Sequence, residues 1–593
     1  MEDNTIKNES MYDINLDIEK NVKKIKQKNK KKTFWKKISI IKASYILTYK
    51  SLPARKIFLF WTSVILGLIF LFLAFTTFSN KFLIDVPTYG GEISEGVIGV
   101  PRYINPVLAS TDSEKDLTRL VFSGLLKKDI EGNIINDLAT EVSESDDRLS
   151  YTVFLNPDAK FHDGRKITSD DVIFTLNKIQ DKKLNSSLAI NFEGVTAEKI
   201  DDTTLTFHLK RPFFHFKESL TFGILPKHLL ENLSTEEFTF SEFNIRPVGS
   251  GPFKIDSVVK KSNIANKYVL AANKNYLNGR PYLDKININI YQNTEDLLSA
   301  LNDGKIESTS HLNYSSFAKI NSSNKNIVSR NLTTVYSLSF NPNKNSLLAE
   351  KNIRVYLSSL INKQEIIDSV FGGYVTKKDF FFGNSDFASE TTTDPESKDL
   401  EKLKEKTLTI TTADLPELKQ VTEKIADTWR AQGVNVEVVV YSLSNLAEVI
   451  KNRDFEILVF GSIIERDTDL YAYWHSTQKA YPGLNITGYM SNALDKNLES
   501  LRQDFTETRV TFLEEINQEL IKEVPAMPLY SNNLNYTINN KDLAKELDGL
   551  LPKNLLDKSE RFIEVKNWFK FKEKVWKFSY KKPLIEKLQN LLH

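Results

Sequence analysis

The residues able to do chemistry are sparse and scattered along the chain. The seven histidines are His162, His208, His215, His228, His311, His475 and His593, and no two of them have the i, i+4 spacing of a metal-binding pair. Cysteine is absent, which removes disulfides, thiolate metal sites, iron–sulfur clusters, a cysteine nucleophile and a lipidated-cysteine anchor. There is no G-x-S-x-G, H-E-x-x-H or P-loop, and no G-x-G-x-x-G after a strand. Gly249-Ser-Gly251-Pro is too short for a phosphate cradle and reads as a turn. With no nucleophile–base arrangement in view, the expectation is a protein that binds and does not catalyse, without metal or cofactor. The acidic run Glu465-Arg-Asp467-Thr-Asp469 lies directly ahead of Leu470 to Trp474. Its carboxylates either hold a cationic group or cap a helix.

The elements that must position these groups have two rhythms. Early in the chain, Tyr151 to Leu155 alternates like a half-buried strand, and Thr203 to Leu209 reads as another. His162-Asp163-Gly164 is a turn. Thr168-Ser-Asp-Asp171 has the form of a capping box ahead of a helix that buries Val172, Ile173, Leu176 and Ile179. Later, Thr407–Thr412, Val434–Tyr441 and Phe455–Phe460 read as strands. Between the first two lies a helical stripe of Leu418, Val421, Ile425 and Trp429, closed by Gly433, and Asn445–Lys451 is a shorter helix. That β-α-β-α-β order predicts a parallel α/β lobe with right-handed crossovers. Two lobes place a ligand pocket at their interface.

Ile57 to Phe78 runs 22 residues without a charge. As a helix it spans about 33 Å, enough for a hydrocarbon core of ~30 Å. Between Lys20 and Lys56 there are 14 Lys or Arg and no acid, so the positive-inside rule predicts a cytoplasmic N-terminus and an exported body. The basic stretch suits anionic lipid, and nucleic acid is not an expected partner. Formal charge divides the same way. Residues 1–56 carry +9 and residues 561–593 carry +6, leaving −13 for residues 57–560. A negative cleft would suit cationic or α-amino ligands.

Several segments, in order, resemble one family. These are Tyr103-Ile-Asn-Pro-Val107, Leu120 to Leu126, Asn136 to Ala139, and above all Phe161-His-Asp-Gly-Arg-Lys-Ile-Thr-Ser-Asp-Asp-Val-Ile-Phe-Thr175. Leu225-Pro-Lys-His228, Pro247 to Phe253, Ser339-Phe-Asn341, Trp474-His-Ser-Thr-Gln478 and Leu484 to Tyr489 follow. Over roughly residues 91–576 the chain resembles the extracellular solute-binding proteins of ABC importers, family 5, which includes oligopeptide- and dipeptide-binding proteins. Ser250 stands where the family usually has Thr, and Arg165-Lys166 where it has a small residue and Pro. The absent cysteine leaves the apolar helix to act as anchor.

The resemblance implies an α/β fold, a two-lobe periplasmic-binding-protein-like clamp with an extra subdomain, here preceded by a single transmembrane helix. The expected divisions are a disordered basic segment over 1–56, the membrane helix over 57–78 and a linker over 79–90. A first lobe with the subdomain follows over 91–345, then a second lobe over 346–525, a return to the first over 526–560 and a basic aromatic tail over 561–593. The implied function is capture of peptide, most simply an oligopeptide, by a monomer that closes about a hinge and delivers to permease subunits. A membrane-anchored sensor or scaffold without transport is the alternative. The implied ligand-binding residues are Asp467, Asp469, Tyr471, Trp474, His475, Asn485, Tyr489, Asn341 and Asn105.

Overall fold

The computed structural model describes residues 35–40, 42, 53–213, 215–321, 325–382, 397–463, 470–481, 483–503 and 508–577. The candidate acids Asp467 and Asp469 lie outside these residues, as does most of 1–56. The chain divides into two units, residues 1–86 with 573–593, and residues 87–572.

In the first unit the uncharged run forms a single helix, Ala54–Phe82, and an 18-residue window within Ala54–Phe78 has a mean hydropathy of 2.6 and no buried part. It is long and apolar enough to cross a membrane. The expected linker is partly ordered. Leu83–Thr88 is a strand paired with Phe571–Trp576, and the returning chain brings the Lys577 amide to the Phe82 carbonyl at 2.8 Å.

The second unit is built on a sheet of twelve strands. Ten of these described strands lie on a path Asn435–Tyr441, Thr407–Ala413, Ile457–Ile463, Asn326–Phe340, Ala526–Ile538, Ser308–Thr309, Glu92–Ile98, Lys285–Tyr291, Ile264–Ala272, Phe253–Lys261, and the other two, Thr376–Lys377 and Asn554–Leu555, pair with Ala526–Ile538 and Asn326–Phe340. The first three pair in parallel, as the β-α-β-α-β rhythm requires. Their helices are Pro416–Ala431 and Leu443–Lys451, with Gly433 at φ +82° closing the longer one. A separate antiparallel sheet orders Ala139–Glu144, Ser150–Leu155, Thr204–His208 and Thr196–Lys199. The helix Ser169–Gln180 packs beside it, and its buried residues Val172, Leu176 and Ile179 share the core of the early segments. At that helix's start the Asp171 carboxylate accepts from Thr168 N and Oγ1, both at 2.9 Å.

Two hydrophobic cores are separate, yet the long antiparallel strands Asn326–Phe340 and Ala526–Ile538 enter both. Val328, Leu534, Tyr536 and Ile538 pack in the core of the early segments. Leu338, Phe340, Leu529 and Tyr530 pack in the core around the parallel strands. Between these stretches the pairing register shifts, from Asn331 to Val335 and again at Tyr336/Ser337. A third small core, with Leu470, Trp474, Leu494, Leu498, Ile516 and Leu520, joins the later helices.

The chain beyond residue 560 does not start as a surface tail. Arg561, Phe562, Val565 and Trp568 are buried in the first core. Phe562 and Trp568 of the expected basic aromatic tail are thus packing residues. The turn at Pro247–Phe253 owes its glycines to close approach. A Cβ on Gly249 would lie 2.1 Å from the Val121 carbonyl oxygen.

Candidate functional site

In open α/β sheets a ligand crevice forms beyond the carboxyl ends of the parallel strands. Here those ends are Ala413, Tyr441 and Ile463. Beyond Ala413 come Asp414, Leu415 and the helix Pro416–Ala431, with Glu417 in its first turn. Next to these strands the crossing strands meet at the register shift, where Tyr336 sits opposite Tyr530. Their rings stack at 4.8 Å with 9° between planes, an arrangement that shields both inner faces.

A polar chain runs outward from that stack. Tyr314, from the short helical turn Tyr314–Lys319, donates its hydroxyl to Asn532 Oδ1 at 3.0 Å. Asn532 Nδ2 donates to the Tyr336 hydroxyl at 3.2 Å. One step further along the strands, the Thr376 hydroxyl lies 2.8 Å from Asn331 Oδ1 and 2.9 Å from Asn533 Oδ1. Polar side chains therefore occupy the point where the two cores part. Burial pushes the hydroxyls of Tyr314, Tyr336 and Tyr530 above the usual phenol range, and the negative charge of Glu417 adds to all three.

Five of the described sequence candidates gather in one segment, while Asn341 and Asn105 stand apart from it and from each other. Tyr471, Trp474, His475, Asn485 and Tyr489 share the segment around the helix Leu470–Trp474. Trp474 packs edge-on against Phe381 at 5.0 Å, inside the third core. His475 is buried and stacks on Tyr471 at 4.0 Å, with Arg502 over the same tyrosine ring at 4.5 Å. Its Nδ1 lies 2.8 Å from the Thr477 hydroxyl, and its Nε2 lies 3.4 Å from the Glu499 carboxylate. Tyr489 donates to Glu519 at 3.1 Å; burial first, then that carboxylate, pushes its hydroxyl upward.

The three asparagines are committed to the backbone. Asn485 donates to the carbonyls of Trp474, His475 and Tyr489 and accepts from Gly488 N and the Thr487 hydroxyl. Asn341 donates to Arg453 and Phe455 carbonyls and accepts from Asn343 N. Asn105 donates to Asn244 Oδ1 and accepts from Val107 N. Each is buried to 1% exposure or less, so these amides shape loops. The sequence signal that singled them out marks a turn that must be held.

Sequence reasoning missed Tyr314, Tyr336, Tyr530, Asn532 and Glu417. They stand on four separate segments, and no local spacing links them. The alternation around Tyr336 marks a strand but not its partner. Among the described residues no group of three or more His, Cys, Asp or Glu is placed to hold a metal.

Comparison with known proteins follows this architecture. Residues 133–481 match the family model described as bacterial extracellular solute-binding proteins, family 5 Middle. The chain is 27% identical over 498 residues to the oligopeptide-binding protein AppA of Bacillus subtilis, covering 78% of this chain and 89% of that protein. It is 25% identical over 403 residues to the dipeptide-binding protein of Escherichia coli, covering 61% of this chain and 74% of that one. Among solved structures, the ABC transporter substrate binding protein CtaP from Listeria monocytogenes superposes with a TM-score of 0.67 at 25% identity. That match covers 80% of this chain and 99% of the other.

Proposed function

The chain belongs to the bacterial extracellular solute-binding proteins, family 5, and from that premise we propose that it captures peptides and delivers them to an ABC importer. The observation that carries this reading is the alignment with an oligopeptide-binding protein over 78% of the chain. Two cores joined by two strands supply the means. The register shift at Asn331–Val335 is the hinge, because a bulged and polar crossing bends at smaller cost than a regular, apolar one. Closure brings the carboxyl ends of the parallel strands over the ligand.

Peptide is suited to such a cleft because backbone N–H and C=O groups recur at every residue. Asp467 or Asp469 would hold the α-amino group, a charged hydrogen bond of ~1.5–3 kcal/mol. Tyr471, Trp474, His475 and Tyr489, which follow these acids in sequence, are the further candidates for ligand contact. Asn105, Asn341 and Asn485 act through the loops they hold. The helix Ala54–Phe82 is an uncleaved anchor with the basic segment inside the cell and the clamp outside, so that a monomer stays near its permease.

Two measurements test this. Native mass spectrometry of the purified chain, after growth in peptone medium, should find co-purifying peptides. No bound peptide, and no thermal shift across a peptide library, would remove the reading. Protease added to intact protoplasts should digest the body and spare an N-terminal tag; the reverse pattern would invert the orientation. Isolation of the chain with no permease subunit under crosslinking would favour a sensor.

A further inference from the structure

Two neighbouring strands of the large sheet part at one end. The ladder between Ile264–Ala272 and Lys285–Tyr291 runs from Ala271↔Lys285 to Lys267↔Asn289 and stops there. Each strand goes on without the other. The first continues to Ile264 against Phe253–Lys261, and the second to Tyr291 against Glu92–Ile98. Asn266 is the extra residue of a β-bulge, since Ala265 and Lys267 face the consecutive residues Lys260 and Val259. A bulge bends its strand and re-aims a side chain. The fork holds a cavity of about 490 Å³, lined on one side by the helix Thr294–Asn302. That volume falls within the ~300–1,000 Å³ of small-molecule sites.

The lining is polar, and it carries both signs of charge. Lys261 and Lys305 bring ammonium groups and Asp296 a carboxylate. Lys305 is paired with Asp303 at 3.0 Å, and Asp296 accepts from Asn293 Nδ2 at 3.0 Å. Among the described residues, Lys261, Asn266 and Gln292 make no side-chain hydrogen bond or ion pair. The aromatic wall is Tyr291, which packs against the small core of Leu297, Leu301 and Ile306. An anion entering here meets the Asp296 carboxylate, and a cation meets two ammonium groups. A neutral polyhydroxylated ligand meets neither repulsion. Each of its hydroxyls both donates and accepts, and the lining supplies ammonium donors, a carboxylate acceptor and amides that do both. The C–H face of a sugar ring is apolar and suits the broad face of a tyrosine.

We propose that the cavity in this fork binds a neutral sugar unit, with Lys261, Asn266, Gln292 and Asp296 hydrogen-bonding its hydroxyls and Tyr291 against its ring. The site is apart from the crevice at Ala413, Tyr441 and Ile463. Along the sheet it lies beyond Ser308–Thr309 and Glu92–Ile98 from the crossing strand Ala526–Ile538. It does not rest on peptide capture, which can hold or fail independently of it.

The test is calorimetric titration of the full-length chain in a detergent without a sugar headgroup. The probes are diacetylchitobiose, maltose, inorganic phosphate and spermidine. At least one disaccharide should bind saturably, and neither phosphate nor spermidine should displace it. Lys261→Ala and Gln292→Ala, both at exposed positions, should each weaken that binding at least about tenfold, the loss of a hydrogen bond to the ligand. Lys254→Ala, in the same hairpin but outside the cavity, should leave it unchanged. Equal urea midpoints show that the variants are folded. The matching tetrasaccharide separates two sources of the same chemistry: equal affinity marks a free disaccharide and tighter binding a longer glycan, and both support the site. No binding of either disaccharide, or binding that survives both substitutions, would overturn it. Displacement by phosphate or spermidine would overturn the neutral ligand class.

Discussion

The guanidinium of Arg561 grips the carboxylate of Asp116 through two parallel bonds, Nη1 to Oδ1 and Nη2 to Oδ2, both at 2.7 Å. The same guanidinium reaches Glu95 Oε1 from Nε at 3.0 Å, and all three side chains are fully buried. Tyr536 donates to the other Glu95 oxygen at 2.8 Å. One cation thus ties the strand Glu92–Ile98, the helix Asp112–Val121 and the end of the body into one core.

Arg561→Met should therefore destabilise the body strongly. Removing the cation leaves two carboxylates buried without their partner, which costs on the order of 3–5 kcal/mol. Urea denaturation of parent and variant at one pH measures it. A loss under 1 kcal/mol would show that the triad relaxes to water.

Asp116 gives this core a pH dependence. Burial outweighs the pull of Arg561 and, with repulsion from Glu95, holds its carboxyl up at about 6 against the ordinary 3.8. A carboxyl raised in this way takes up protons on folding. Its contribution is complete below about pH 4 and is lost as pH rises through about 6. Asp116→Asn lacks that contribution. The stability gap between parent and variant should widen as pH falls from 6 to 4, read by denaturation at each pH.

His162 works in the opposite sense. Burial pushes its imidazole down to about 4 from 6.5, and the ring accepts from Gly249 N at 3.3 Å while meeting the Gly251 carbonyl at 3.1 Å. The unfolded chain protonates first, so this stability is present above about pH 6.5 and is lost as pH falls toward 4. His162→Asn should gain on the parent across that window. A pH-independent difference would show that the ring does not stay neutral in the fold.

Gly461 makes room for the Tyr336 ring. A Cβ there would lie 2.9 Å from Tyr336 Cε1 and 3.1 Å from Cζ, and the ring is backed by Tyr530. Gly461→Ala should cost about 1–3 kcal/mol and shift the stacked pair. Aromatic proton chemical shifts of a tyrosine-labelled chain would report the movement; unchanged shifts would mean that the strand yields and the ring does not.

Asn485→Ala should loosen the loop from Ser476 to Tyr489. Three carbonyls and one amide lose their partner, about 1–3 kcal/mol for each buried group left unsatisfied. Faster amide exchange confined to that loop is the expected result. Uniform acceleration throughout the body would mean that the residue supports the whole fold.

Local periodicity made much of this molecule legible in its amino acids. An uncharged run of 22 residues needs no partner to form an apolar helix, and the structure has a helix over Ala54–Phe82 long and apolar enough to cross a membrane. The Thr168–Asp171 box, the stripe from Leu418 to Trp429 and the strands around it involve spacings of two to four residues, which the chain states outright. The ordered motifs carried the family. What only the tertiary structure decided was the meaning of single polar residues. Arg561 stands in a basic, aromatic stretch with no local spacing that names its partners, and two acids 445 and 466 positions away bury with it. Asn485 reads equally as a ligand contact or a turn, and only the structure shows its amide hydrogen-bonded to the carbonyls of Trp474, His475 and Tyr489. Tyr336 and Tyr530 have no shared spacing at all. They meet because Tyr336 and Tyr530 pair across strands whose separation in sequence encodes nothing about distance in space.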